Sequence, residues 1–279
     1  MTLVRSRNQT AARPDIGGPR RRFWLTQAGI LVGAIIVYFA VRTLTEGSPA
    51  TAARNAGRIV DLERSLGIDV ESAMQEYLVD HDSLARLANW VYIWGHWPVI
   101  IAVLAWLVVR APDRYMVYRD AMLISGLAGI VIFATFPVAP PRLLDLGMID
   151  TVTEQSHAYR VLQPPSLVNQ FAAMPSFHAG WDLLMGIALV REGRRLWVRV
   201  LGCLLPIAMA LSVVVTANHY LLDVVVGMAI VVGALVVAHW MHQRRVRRRL
   251  VLTSHESYPH HPVTEAPLPV TPLAEKRAS

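Results

Sequence analysis

Six apolar stretches, each close to the ~17–25 residues a helix needs to cross a bilayer, leave this chain few ways to fold. They run Phe23–Val41, Trp90–Val109, Ala121–Val138, about Pro175–Val190, about Val200–Ala217 and Tyr220–Trp240. In hydrocarbon only helices and closed barrels satisfy their own backbone, and runs of this length read as helices. The expected fold class is all-α: a polytopic membrane protein with six transmembrane helices. Composition agrees, with 54% hydrophobic residues against 17% charged and a mean hydropathy of +0.38, too apolar for an ordinary soluble domain. The first stretch exceeds the usual hydrophobic region of a signal peptide, so it reads as a retained anchor.

Arginine placement orients these spans. Arg5, Arg7, Arg13 and Arg20-Arg21-Arg22 precede the first; Arg110, Arg114 and Arg119 separate the second from the third. Arg191, Arg194, Arg195 and Arg199 separate the fourth from the fifth, and Arg244, Arg245, Arg247, Arg248 and Arg249 follow the sixth. With six spans all four clusters share one side, which the positive-inside bias makes cytoplasmic, so both termini lie inside. Residues 1–22 then form a basic cytoplasmic tail, 23–243 the six-span membrane domain, and 244–279 a basic and then disordered cytoplasmic tail. The expected location is the plasma membrane, with the span ends carrying Arg142, His178, His219 and Asp223 on its outer face. The net charge of +7 comes with these clusters and with no recognition module, so nucleic acid is not an expected partner. The single cysteine, Cys203, excludes an intrachain disulfide.

Between the first two spans, Val70, Ala73, Met74, Tyr77 and Leu78 follow helical spacing after Asp69, a candidate N-cap. The spacing predicts an amphipathic helix, lying on the interface or packed over the bundle, with Trp90, Tyr92, Trp94 and Trp97 anchoring the next span at the headgroups. The stretch from Ala139 to Ala173, with Pro140-Pro141 and Pro164-Pro165, reads as a loop over the site. Small residues four apart, Ser125 with Gly129 and Ala229 with Gly233, are expected at close helix contacts.

Two motifs 41 positions apart carry the chemistry: Pro175-Ser176-Phe177-His178 and His219-Tyr220-Leu221-Leu222-Asp223. A His four residues before an Asp on a helix puts both side chains on one face. The carboxylate can hold one imidazole nitrogen and leave the other free to attack or to accept a proton. His178 could protonate a leaving group. Such a set suits metal-free phosphoryl or acyl transfer at the level of lipid headgroups. No HExxH, paired cysteine, cluster of outward carboxylates or Gly-rich phosphate loop is present, so no metal or other cofactor is expected. His255, His260 and His261 in the tail read as solvated.

Ser212, His219 and Asp223, spaced Ser-x6-His-x3-Asp, together with Pro175-Ser176-Phe177-His178, resemble the second and third signature motifs of the type-2 phosphatidic acid phosphatase superfamily. Phe136-Pro137-Val138-Ala139-Pro140-Pro141-Arg142-Leu143, Met174–His178 with Trp181 after it, and Thr216-Ala217-Asn218-His219-Tyr220 resemble its branch of inositol phosphorylceramide synthases and bacterial relatives. The resemblance covers about residues 50–240. It implies that His219 is the nucleophile and forms a phosphohistidine, that Asp223 orients it, and that His178 protonates the departing oxygen. It further implies that Ser176, Ser212 and Arg142 bind the substrate phosphate. The substrate would be a membrane lipid phosphate or phospholipid, attacked either by water or by an alcohol.

Two positions depart from the wider superfamily, which has a Lys where Thr135 stands and an Arg where Val213 stands. If the branch shares its parent's pocket, Val213 should face phosphate. Arg160 is a further candidate for neutralising the phosphate, while Arg119 reads as an inner anchor. Ionisable groups inside a membrane are expensive and usually functional or paired. His96 is thus a candidate for the site wall, and Asp182, four residues after His178, a candidate to orient it; His239 and His242 read as interfacial. The competing reading is a non-catalytic scaffold or transporter that reuses the same bundle. It lacks the internal repeats and mid-bilayer polar sites that transporters usually show.

Overall fold

The computed structural model describes residues 17–44, 48–155 and 169–256; Arg160 and the tail histidines lie outside them. The chain divides into Met1–His239 and Trp240–Ser279. The helices are α1 (Gly17–Leu44), α2 (Pro49–Leu66), α3 (Glu71–Val79), α4 (Asp82–Trp94), α5 (Trp97–Arg110), α6 (Pro112–Thr135), α7 (Thr151–Gln155), α8 (Phe177–Glu192), α9 (Leu196–Val215) and α10 (Leu221–Glu256). Among the described residues there is no strand, only an isolated parallel bridge between Val138 and Ala172. Among the described residues three helices are long and apolar enough to cross a membrane: α6, α9 and Leu221–Arg248 of α10. A fourth crossing arises if α4 and α5, bent by 46°, form one broken span.

That bend corrects the expectation of one continuous span from Trp90. Pro98 has no N–H to give to the residue four before it, and the chain turns at His96 (φ −93°, ψ −90°) before α5 begins. Of the four aromatic residues expected at the interface, Tyr92 is buried, 5% exposed, whereas Trp90, Trp94 and Trp97 are exposed. α6 stops at Thr135 because Phe136, before Pro137, is held out of the helical region.

The segment between the first two expected spans holds a helix that hydropathy does not reveal. α2 starts with Pro49 at its first turn and ends in a Schellman cap, where Gly67 adopts φ 68°, a left-handed conformation that favours glycine. Gly67 N–H donates to Arg64 O and Ile68 N–H to Glu63 O. α3 begins at Glu71, so Asp69 is not its cap; Asp69 instead pairs with Arg64 at 3.0 Å. Ala52, Ala56, Ile59 and Val60 of α2 pack on Val138, Ala139, Ala173 and Tyr220, roofing the ends of the loop.

The bundle core combines Ile100, Val103 and Leu107 of α5 with Leu184 and Met185 of α8 and Val231 and Leu235 of α10. α8 crosses α10 at contact distance of their backbones. A Cβ on Gly227 would meet Ser176 O at 2.2 Å, and one on Gly180 would meet Gly227 O at 2.8 Å. Glycine is required there, and the crossing sets the start of α8 beside the start of α10. Of the small pairs, Gly129 does sit at a close contact, under the Phe177 ring, and Ser125 Oγ accepts from Trp181 Nε1 at 3.1 Å. Ala229 and Gly233 are exposed and mark no helix contact. In the second unit the helix continues to Glu256, past Leu250, with the Arg244 guanidinium 3.7 Å over the Trp240 ring.

Candidate active site

His178 lies in the first turn of α8, whose N-cap is Ser176. The Ser176 hydroxyl oxygen accepts from Ala179 N–H at 3.5 Å, and Ser176 N–H donates to Asp223 O at 2.9 Å. His219 stands two residues before α10, in a turn where Ala217 takes φ 56°. The pairing of His219 with Asp223 therefore does not arise from one helical face, as the spacing suggested. Asp223 sits in the first turn and its Oδ2 accepts from Tyr220 N–H at 2.9 Å, capping the helix, while the same oxygen stands 3.5 Å from His219 Nδ1.

The nearest partner of His219 Nδ1 is main chain: Ala173 O, at 2.7 Å. A carbonyl can only accept, so Nδ1 carries a proton and, in the neutral ring, the lone pair is on Nε2. His219 is 6% exposed and Asp223 fully buried, with Asp223 Oδ1 unpartnered. The His178 and His219 rings are 5.8 Å apart between centroids. An atom between them can be approached by both.

Arg142 lies in a 3-10 turn, Pro141–Leu143. Its N–H donates to Ala217 O at 3.0 Å, its Nη1 to Asn218 Oδ1 at 2.5 Å, and its Nε is 3.4 Å from Asp150 Oδ2. Asp150 also accepts from the N–H and hydroxyl of Thr153 at the start of α7. The guanidinium is thus held from both sides at the turn that carries His219. Arg142 and His178 both retain partial exposure.

Three sequence expectations change. Ser212 donates its hydroxyl to Ala88 O at 2.7 Å, tying α9 to α4. Val213 is fully buried among Tyr92, Met209 and Val152 rather than facing a phosphate. An arginine there would bury its charge in an apolar cluster, so Val213→Arg is not the tolerated change that a shared pocket implied. Asp182 does not reach back to His178; it pairs with His96 Nδ1 at 2.9 Å. Thr135 is exposed and its hydroxyl donates to Val131 O. Arg119 pairs with Asp120 and donates to Gln27 at 2.8 Å.

Sequence reasoning missed a layer of buried polar side chains on α2, α3 and α4 that bond to main chain around the site. Glu63 Oε1 accepts from Leu222 N–H and Glu71 Oε1 from Leu221 N–H, both at 2.7 Å, so two acidic side chains satisfy N–H groups at the N-terminus of α10 that have no partner within the helix. Asn55 donates to Pro137 O, Gln75 to Ile149 O and Val215 O, and Asn89 to Thr151 O. A signal existed: Glu63 continues the apolar face of Ala52, Ala56, Ile59 and Val60, where a carboxylate is out of place. Among the described residues no group of three His, Cys, Asp or Glu is arranged to hold a metal ion.

Burial, with Glu71 and Asp223 nearby and against the pull of the Leu222 N–H, pushes the Glu63 carboxyl up to about 8. Between the ordinary carboxylate range and that value, the folded chain keeps a proton that the unfolded chain releases. Stability therefore falls as pH rises through this window and levels off above it. Glu63→Gln keeps an oxygen for Leu222 N–H and removes the titration. The Tm of the parent is expected to decline between about pH 5 and pH 8, and melting curves of the purified variant should lose much of that decline; an unchanged decline would assign it to other groups.

Comparison with curated proteins and with solved structures finds no match. Compared with known families, the PAP2 superfamily matches residues 57–237, a stretch that contains Arg142, His178, His219 and Asp223. Membership points to phosphatase or phosphotransferase activity. A match over more than half of its residues makes this chain a member of the PAP2 superfamily, the type-2 phosphatidic acid phosphatases that its motifs resemble.

Proposed function

We propose that this chain is an integral membrane enzyme that transfers a phosphate-bearing group from a lipid through a phosphohistidine on His219, without a metal. Carrying the reading is the placement of His219, whose Nε2 is left with its lone pair by the Ala173 and Asp223 contacts, with His178 5.8 Å away between ring centroids. Nε2 attacks phosphorus as the bond to the lipid oxygen breaks, and His178 gives that oxygen its proton. His178, now neutral, takes a proton from the incoming water or alcohol, which attacks phosphorus and releases His219. Arg142 and the free N–H groups in the first turn of α8 hold the equatorial oxygens, where charge accumulates. Ser176 shapes this turn as its N-cap.

Water as acceptor makes a lipid phosphate phosphatase; an alcohol makes a phosphotransferase of the inositol-phosphate type. The Phe136–Leu143 and Thr216–Asp223 stretches, with no cation at Thr135 or Val213, favour the inositolphosphotransferase-like branch. Phosphate release and product analysis on the purified protein, with a panel of lipid phosphates and phospholipids and with or without inositol or other alcohols, test the reading. Turnover of at least one lipid, unaffected by chelator, is expected. No turnover on any member, or a loss on chelation restored by Mg²⁺, would overturn it.

The same reading puts six spans in the plasma membrane, with the site outside and both termini in the cytoplasm. In a Cys203→Ala background, Ser166→Cys should label from outside intact cells with an impermeant thiol reagent, and Asp113→Cys only after lysis. The reverse pattern would move the site to the cytoplasmic face.

A further inference from the structure

Beside the His178, His219 and Asp223 set lies a second buried histidine–carboxylate couple. His96 Nδ1 and Asp182 Oδ1 are 2.9 Å apart, with side chains 4% and 0% exposed. Asp182 Oδ2 has no partner. A buried ion pair of this kind is weak evidence for stability, because the desolvation of both groups offsets their attraction. A role in the reaction is the better explanation, and ring geometry says which.

The His96 ring lies against His178, with centroids 4.4 Å apart and 36° between planes. Tyr92 also stacks on His178, at 4.7 Å and 21°. Trp181 runs parallel to His96, 3° from coplanar orientation at 6.1 Å. Rings in face contact do not share an in-plane N–H···N bond, so His96 is no relay that hands a proton to His178. What it does is hold the plane of the acid's ring. The couple itself is held by the fold: His96 occupies the corner between α4 and α5, and Asp182 is one turn along α8 from His178.

We propose that His96 and Asp182 are a positioning couple, which aims His178 at the departing oxygen. This rests on the reading of His178 as the general acid. In that step the proton leaves a His178 ring nitrogen, which keeps the electron pair, and arrives on the alcohol oxygen as its bond to phosphorus breaks. Its value depends on the leaving group: an aliphatic alkoxide needs the proton, whereas a nitrophenolate departs without it.

The test uses purified full-length protein and a matched pair of phosphate esters, one releasing an aliphatic alcohol and the other a nitrophenol. Asp182→Asn keeps the shape and removes the charge; His96→Phe keeps the ring and loses the bond to Asp182. Each should lower kcat/KM, which reports steps up to alcohol release and not the later attack on the phosphohistidine that both esters share, by at least about tenfold on the aliphatic ester, while kcat/KM for the nitrophenyl ester stays within about twofold. A parallel fall on both esters, or no fall on either, would overturn the couple's role, and His96→Phe carries the test if Asp182→Asn does not fold. His178→Ala separates the two claims. If it shows the same split and the couple's variants do not, only the couple is wrong. If His178→Ala depresses both esters equally, the acid assignment falls and the couple with it.

Discussion

His219→Ala is expected to abolish turnover while leaving a folded protein. The proposed covalent step runs through His219 Nε2, and the ring makes a single tight polar contact to main chain, at Ala173 O. Removing it leaves the turn held by Asn218 N–H and His219 N–H on Val213 O, both at 3.0 Å, and by Arg142 on Ala217 O. kcat measured on purified variant should therefore fall below about one part in a thousand, while the melting transition survives. The parent enzyme, quenched during turnover of a phosphate-labelled lipid, should carry acid-labile, base-stable label that the variant lacks. Retention of more than about a hundredth of the parent's rate would mean direct attack by water and no phosphohistidine.

Arg142 should rank next. Neither Thr135 nor Val213 supplies a cation, and Val213 is closed off in apolar packing. A guanidinium can bind two phosphate oxygens at once, which an ammonium cannot match, and Asn218 and Asp150 already fix its orientation. Losing a charge-assisted contact made in the transition state costs on the order of 3 kcal/mol, about a hundredfold in kcat/KM. Arg142→Ala should show that loss, and Arg142→Lys a smaller but clear one. Near-normal kcat/KM for Arg142→Ala would remove Arg142 from the phosphate and shift the burden to Arg160 or to backbone N–H groups.

Hydropathy and spacing reached the all-α class with apolar helices, and singled out the His178, His219 and Asp223 that the structure brings together, because both rest on one-dimensional signals: run length, and His and Asp at fixed offsets. What holds those residues was not legible. Ala173 O is a main-chain atom, which no side-chain pattern announces, and it displaces Asp223 as the closest partner of His219. α2 escaped because its apolar face is built of alanines and short aliphatics on an otherwise polar helix. The turn at His96 was half legible, since Pro98 was visible but the continuous hydropathy of Trp90–Val109 outweighed it. Asp182 shows the limit of spacing itself: four residues from His178 on one helix, it turns instead to a residue 86 positions away.

The stretch from Ala173 to Ser176 is laced to the stretch from His219 to Asp223 at both ends, by Ala173 O to His219 and by Ser176 N–H to Asp223 O. His219 and His178 are thus the two jaws of a caliper whose opening is fixed by backbone, with Gly227 as the closed joint. No single side-chain replacement can widen it gradually; the gap either keeps its width or the crossing comes apart. On the proposed reading, selectivity for one headgroup over another is then written elsewhere, in α2, which packs on Ala139, Ala173 and Tyr220, and in residues 139–155. Exchanging those roofing residues is the route to a changed substrate with the transfer chemistry intact.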